Sequence, residues 1–314
     1  MERKVNQIGP STLMVSLPSK WVKKYNIKKG DVLEVEENKE HLILRQSGKP
    51  TEGTRLVLDL NDLNVSLIWY YITAAYRSGA EEIHLNFSPT VKDDKLNKTV
   101  EIHTILQNII DRCIGMEIIR NTPSSYTVKE ISSIKQDELA TIFRRIFFSL
   151  QVMFDDIIEG IEKKDNKIID HVAKYADIQV NKFSDYCIRI LTKTQSETQM
   201  INIITRLEEI GDSLKHLANH ILSKPLTEEI LGLLKEEKQF FAAVEKFYFH
   251  DTKEELLNME KQKIAILKKI EKMQKFADIG AFIIIIKTGS QILSLIETKL
   301  TMSFLQRVTT KSSS

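Results

Sequence analysis

In the stretch from Arg206 to His220, Glu208, Asp212, His216 and His220 recur every four residues. At about 100° per residue, that spacing strings oxygen and nitrogen donors along a slowly winding ladder on a helix surface. Leu207, Ile210, Leu214, Leu217 and Ile221 gather as an apolar stripe, with Glu208, Asp212 and Asn219 roughly opposite. Carboxylates and imidazoles in such a row can hold a hard or borderline metal ion. The same row describes the solvated face of any charged helix, and periodicity leaves both readings open.

A second group is purely electrostatic. Residues 1 to 29 carry seven basic side chains (Arg3, Lys4, Lys20, Lys23, Lys24, Lys28, Lys29) against one acid, Glu2. The net charge of +2 over 314 residues therefore hides an asymmetry, because residues 1 to 50 alone hold ten Lys/Arg against six Asp/Glu. A polyanion is expected to meet the N-terminus first. Elsewhere the signals are weak. Cys113 and Cys187 lack metal or redox spacing and read as buried free thiols of a reducing cytoplasm. His84, His103 and His171 stand alone and read as surface or hydrogen-bonded histidines. Trp69-Tyr70-Tyr71 reads as core or interface, and Lys268, Lys269 and Lys272 as a solvated face. Without a phosphate loop, a nucleophile elbow or a His/Cys constellation, no enzyme is expected.

These residues need elements to position them, and 42% hydrophobic with 28% charged content excludes disordered and collagen-like classes. The patterning predicts a multidomain α+β chain in three segments: 1–48, 53–134 and 135–314. In the first, Leu13, Val15 and Leu17 alternate before Pro18, Ser19 opens a short helix to Tyr25, and Gly30-Asp31 turns into a hairpin of Val32 to Val35 and Leu42 to Leu44 around a turn at 38–40. The second is a small α/β unit: strands at 55–60 and 83–87, helices at 64–78 and 100–113, then strands near 117–120 and 126–130. Its expected role is a spacer or an oligomer contact.

The third segment is nearly all helix-period pattern, broken by a single proline, Pro225. Helices are expected at 137–164, 166–192 and 195–223, then at 226–249, 251–275 and 277–309, giving two three-helix repeats in tandem. The most apolar run, Phe276 to Ile286, is interrupted by Asp278 and closed by Lys287, short of the roughly 20 residues of a membrane span. It predicts a helix buried in a bundle, no membrane insertion and a cytoplasmic protein. Met1 leads into a polar strand, so no signal peptide is expected.

Arg3-Lys4-Val5, Val15-Ser16-Leu17-Pro18, Trp21-Val22-Lys23-Lys24 and Ile27-Lys28-Lys29-Gly30-Asp31-Val32 resemble the AbrB-like swapped-hairpin DNA-binding domain. The resemblance implies an N-terminal swapped-hairpin β-barrel formed by a homodimer on double-stranded DNA, with Arg3, Lys4, Lys20, Lys23 and Lys24 as candidate phosphate contacts. Leu207-Glu208-Glu209-Ile210-Gly211-Asp212 resembles the "L-E-R-I-G-D" signature of PhoU-like phosphate-uptake regulators. In that family E-x-x-x-D pairs bind metal clusters on a bundle of two three-helix repeats, which implies a divalent metal or iron on the first repeat. Asp156 and Asp165 match the family's first-helix spacing, and Asp177 falls where the second helix carries an acid. His216 stands where the family has Asn, so the implied ligand set is Glu208, Asp212, Asp156 and His216. In the second repeat Ile283, Lys287 and Ala242 occupy the acidic positions, leaving one cluster at most.

The pair of resemblances predicts a transcriptional regulator of phosphate uptake, in which the helical segment senses a signal, a phosphate transporter ATPase or a signalling protein. An adaptor that restrains a phosphate transporter without touching DNA is the alternative. A bundle metalloenzyme is disfavoured because Glu-x-x-His pairs on facing helices are absent.

Overall fold

This computed structural model describes residues 2–38, 41–46, 54–132, 138–194, 198–272 and 278–311, and the chain divides into two compact units, Met1–Gly53 and Thr54–Ser314. In the first, β1 (Val5–Gln7) and β2 (Leu13–Val15) pair antiparallel with Val5 opposite Val15, and Ile8 N–H donates to Thr12 O across the loop. Helix α1 (Ser19–Lys24) follows Pro18, whose φ of −62° suits a helix entrance. Gly30, at φ +96°, then turns the chain, helped by Lys28 N–H donating to the Asp31 carboxylate. β3 (Leu33–Asn38) and β4 (His41–Gln46) form a second antiparallel hairpin, the tip of whose expected turn, 39–40, lies outside the described residues.

The expected barrel is not closed in the single chain. Among the described residues these are two separate two-stranded sheets. Val5, Leu13, Val15, Val32, Val35 and Leu42 are exposed, and among the described residues none of this unit belongs to the buried core. Fifty residues in one copy bury too little apolar surface for a core of their own.

The second unit begins with a four-stranded sheet in the order β5 (Arg55–Asp59), β6 (Glu82–Asn86), β10 (Ser125–Glu130), β9 (Met116–Thr122). β5 and β6 are parallel because α2 (Val65–Arg77) crosses between them; the other neighbours are antiparallel. The Asn64 side chain caps α2 by accepting from Leu67 N–H at 2.9 Å. A small hairpin, β7 (Thr90–Asp93) with β8 (Lys98–Glu101), precedes α3 (Ile102–Ile110). Its polar residues carry no alternating apolar pattern, and it was not expected from the sequence.

Among the described residues the helices that follow are α4 (Glu138–Glu162), α5 (Asn166–His171), α6 (Asp177–Thr194), α7 (Thr198–Ser223), α8 (Glu228–His250), α9 (Lys253–Lys272) and α10 (Ile279–Lys311). Where one helix was expected over 166–192, a π-helical turn at Val172–Ala176 separates α5 from α6. The core is aromatic, with Phe143, Phe147, Phe154, Phe240, Phe241 and Phe247 all buried and the Phe147 and Phe241 rings stacked at 5.6 Å. Tyr186 and Ile190 of α6 complete the core under the sheet.

Helix α10 lies close to the expected 277–309. Its apolar character extends beyond the expected run ending at Lys287, and Ile279–Phe304 is long and apolar enough to cross a membrane by length and composition. Ala281, Ile285, Ile292 and Leu295 are nevertheless buried in the helical core, and Gln291 accepts from Ser213 Oγ of α7 at 3.0 Å. Such polar pairing suits a bundle interior.

Candidate functional site

Two surfaces carry the chemistry anticipated from the sequence. On the N-terminal unit, α1 has no acid in its first turn and no buried residue, and Lys23 and Lys24 occupy its last turn. Arg3, Lys4, Lys20, Lys23, Lys24, Lys28 and Lys29 are all exposed. The Trp21 and Tyr25 rings pack at 5.6 Å, and Lys24 Nζ lies 5.3 Å from the Tyr25 centroid. The short helix therefore presents its cations outward on an aromatic footing.

Residues 7–52 match the family model of MazE, the bacterial antitoxin of antidote-toxin recognition. The MazE-like match supports an AbrB-like swapped-hairpin domain at the N-terminus and a generally dimeric, DNA-binding character for it. No curated protein and no solved structure matches the chain.

The acidic helix α7 is arranged differently from the ladder that its spacing suggests. Glu208 is half-buried and gripped by Arg77 of α2, whose Nη2 lies 2.9 Å from Oε2, while Arg77 Nε donates to Asp185 Oδ1 of α6 at 2.6 Å. One guanidinium thus serves two carboxylates from two helices. Burial, opposed by Arg77, pushes both carboxyls above the ordinary range. Asp212 and His216 are exposed one and two turns further on. The Asp212 carboxyl is also raised, by burial and then by Asp177, whose own carboxylate accepts from Lys215 Nζ at 2.8 Å. His220 closes the row against Asp278 of the α10 start, at 2.8 Å.

Asp156 lies elsewhere, on α4, in a groove of about 390 Å³ shared with His171, Tyr175 and the exposed Phe148. Asp165 accepts from Lys167 N–H and caps α5. Among the described residues no group of three or more His, Cys, Asp or Glu side chains comes together to hold a metal ion. Glu208, Asp212 and His216 lie along α7 and Asp156 on α4, and Arg77, shared with Asp185, already holds Glu208. In the stretch expected to form the second repeat, Ile283 and Lys287 are exposed.

Two residues missed in the sequence tie the sheet layer to the bundle. Arg189 of α6 has no exposure, and its guanidinium donates to the carbonyls of Tyr76, in the last turn of α2, and of Ala80, just beyond it, at 2.7 and 2.8 Å. It lies 3.3 Å from the Glu130 carboxylate and over the Tyr76 ring. Lys193, one turn on, reaches Glu81 and Glu130. Its stem fits because Gly79, at φ +86°, has no side chain; a Cβ there would stand 2.8 Å from Lys193 Cγ. The legible signal was Asp185 and Arg189 inside the otherwise apolar Tyr186 to Leu191 neighbourhood, since a charge in such a run must find a partner.

The remaining candidates are structural. His84 Nδ1 pairs with Thr127 Oγ1 and His103 Nδ1 with the Tyr126 hydroxyl. Burial pushes the Cys113 and Cys187 thiols up to about 12, which keeps them protonated and unreactive. Trp69 is covered by the Arg112 guanidinium, and Tyr70 and Tyr71 are exposed.

Proposed function

We propose that this protein is a cytoplasmic DNA-binding transcriptional regulator of phosphate homeostasis, not an enzyme, whose N-terminal unit binds duplex DNA as a homodimer and whose helical unit receives the signal. The observation that carries the reading is the coincidence, on one MazE-like unit, of seven exposed cations with two hairpins whose apolar faces lie open. Two copies that exchange hairpins would cover those faces and double the cationic surface about a two-fold axis, matching symmetric DNA. Lys and Arg would neutralise phosphates and release condensed counterions. The phosphate assignment rests on the PhoU-like stretch Leu207 to Asp212 and on the expected two-repeat bundle. The test is binding of the full chain to its own promoter duplex across a salt series. Steep weakening with salt is expected; no binding to any duplex sinks the reading.

The adaptor reading is favoured by one observation, the exposed apolar side chains on the helical unit, Phe148 and Tyr175 on one side and Ile279 and Ile283 on α10. Charge reversal at Lys20, Lys23 and Lys24 separates the two. A regulator loses promoter control, whereas an adaptor retains control of its transporter.

A further inference from the structure

The second repeat lacks the acidic pair of the first but holds one acid that nothing above uses. Glu237 of α8 is 3% exposed, and its Oε2 has no hydrogen-bond partner. Its other oxygen, Oε1, is pressed against Gly289 of α10, where a Cβ would stand only 2.7 Å away. The carboxyl lines a cavity of about 160 Å³ between α8, α9 and α10, otherwise walled mainly by apolar side chains such as Phe240, Ile266, Ile270 and Ile285. Leu267, Ile286 and Ser290 line it too and are exposed, so they form its mouth. Lys263, in the cavity lining, is paired with Glu260.

A buried polar atom without a partner costs free energy, about 1–3 kcal/mol in typical cases. Such an atom calls for a physical explanation, and a bound partner that satisfies it is one. An apolar cavity of about 150 Å³ is known in another protein to accept benzene, so this one has room for a single ring or its aliphatic equivalent. We propose that the cavity is a binding site for a small apolar molecule of about that size carrying one hydrogen-bond acceptor, a hydroxyl or carbonyl oxygen, placed against Glu237 Oε2. Burial disfavours the charged form of this carboxyl and raises it above the ordinary range, which favours the protonated form whose O–H donates. Apolar walls with one convergent polar group are the usual composition of small-molecule sites. The site would give the helical unit an effector that acts independently of any metal.

The test uses the full chain with phenol and toluene, which differ in the hydroxyl. Titration is followed by the methyl resonances of Ile266, Ile270 and Ile285 and by the thermal midpoint. Phenol should saturate these shifts and bind about fivefold to tenfold tighter than toluene, the worth of one net hydrogen bond. Glu237→Leu should erase that preference. Leu267→Trp, at the mouth and away from the core, should block both probes while leaving the helical circular dichroism unchanged, which guards against a Glu237 variant that fails to fold. Equal binding of the two probes, no saturable shift with either, or undiminished binding by the Leu267→Trp variant would overturn the proposal.

Discussion

Arg189 is the residue on which the sheet and the bundle most depend. Arg189→Met removes a guanidinium with no solvent exposure, strands the Tyr76 and Ala80 carbonyls and leaves Glu130 to Lys193 alone. A loss of about 3 kcal/mol in urea denaturation is expected, as for other broken buried pairs; a change under 1 kcal/mol would deny it that role. Glu237 makes a pH prediction. Its folded pKa is raised, so the native state holds a proton that the unfolded chain gives up above the ordinary glutamate value near 4.3. The stability it contributes is therefore present at low pH and lost as pH rises through and beyond that value. Glu237→Gln should melt higher than the wild type at pH 8, with the gap closing toward pH 4, as calorimetry would show. For the acidic helix, Asp212→Ala should leave metal content after purification equal to that of the wild type, because Arg77 holds Glu208; a metal lost on that substitution would restore the ligand set. The ladder spacing of Glu208, Asp212, His216 and His220 was legible, but their partners were not. Arg77 and Asp278 lie 131 and 58 residues from the groups they bind, and periodicity carries no information about such distances.

Among elements, α1 bears the DNA reading. If Lys23 meets one phosphate per protomer, Lys23→Gln should lower the slope of log affinity against log salt by about 2 for a dimer, with little change in sequence preference. An unchanged slope would move the contact elsewhere. The long helices agree with the spacing of their apolar residues to within a few positions, because burial against a core enforces the 3.6-residue period along their whole length. Less legible were the features where the local pattern is weak. The β7–β8 hairpin is mostly exposed, and the π-helical turn after His171 changes hydrogen bonding without interrupting the apolar pattern.

At the scale of the whole molecule, the two units should behave differently when separated. Residues 54–314 keep every residue of the buried core and are expected to retain their helical signal and cooperative melting, while losing salt-sensitive DNA binding. The segment 1–53, coreless as a single copy, should melt at a temperature that rises with protein concentration; a concentration-independent midpoint would show that it folds without a partner. The sequence by itself determined the basic N-terminus, the α+β class and the order of strands and helices apart from the β7–β8 hairpin and the break between α5 and α6, since charge balance and apolar periodicity are local properties of the chain. The tertiary structure alone decided that Arg77 takes Glu208, that Arg189 joins sheet to bundle, and that Glu237 faces a cavity beside Gly289. Each of those outcomes depends on which distant residues meet in a medium of low dielectric constant, where an ionic or hydrogen-bonding group must find a partner or remain costly.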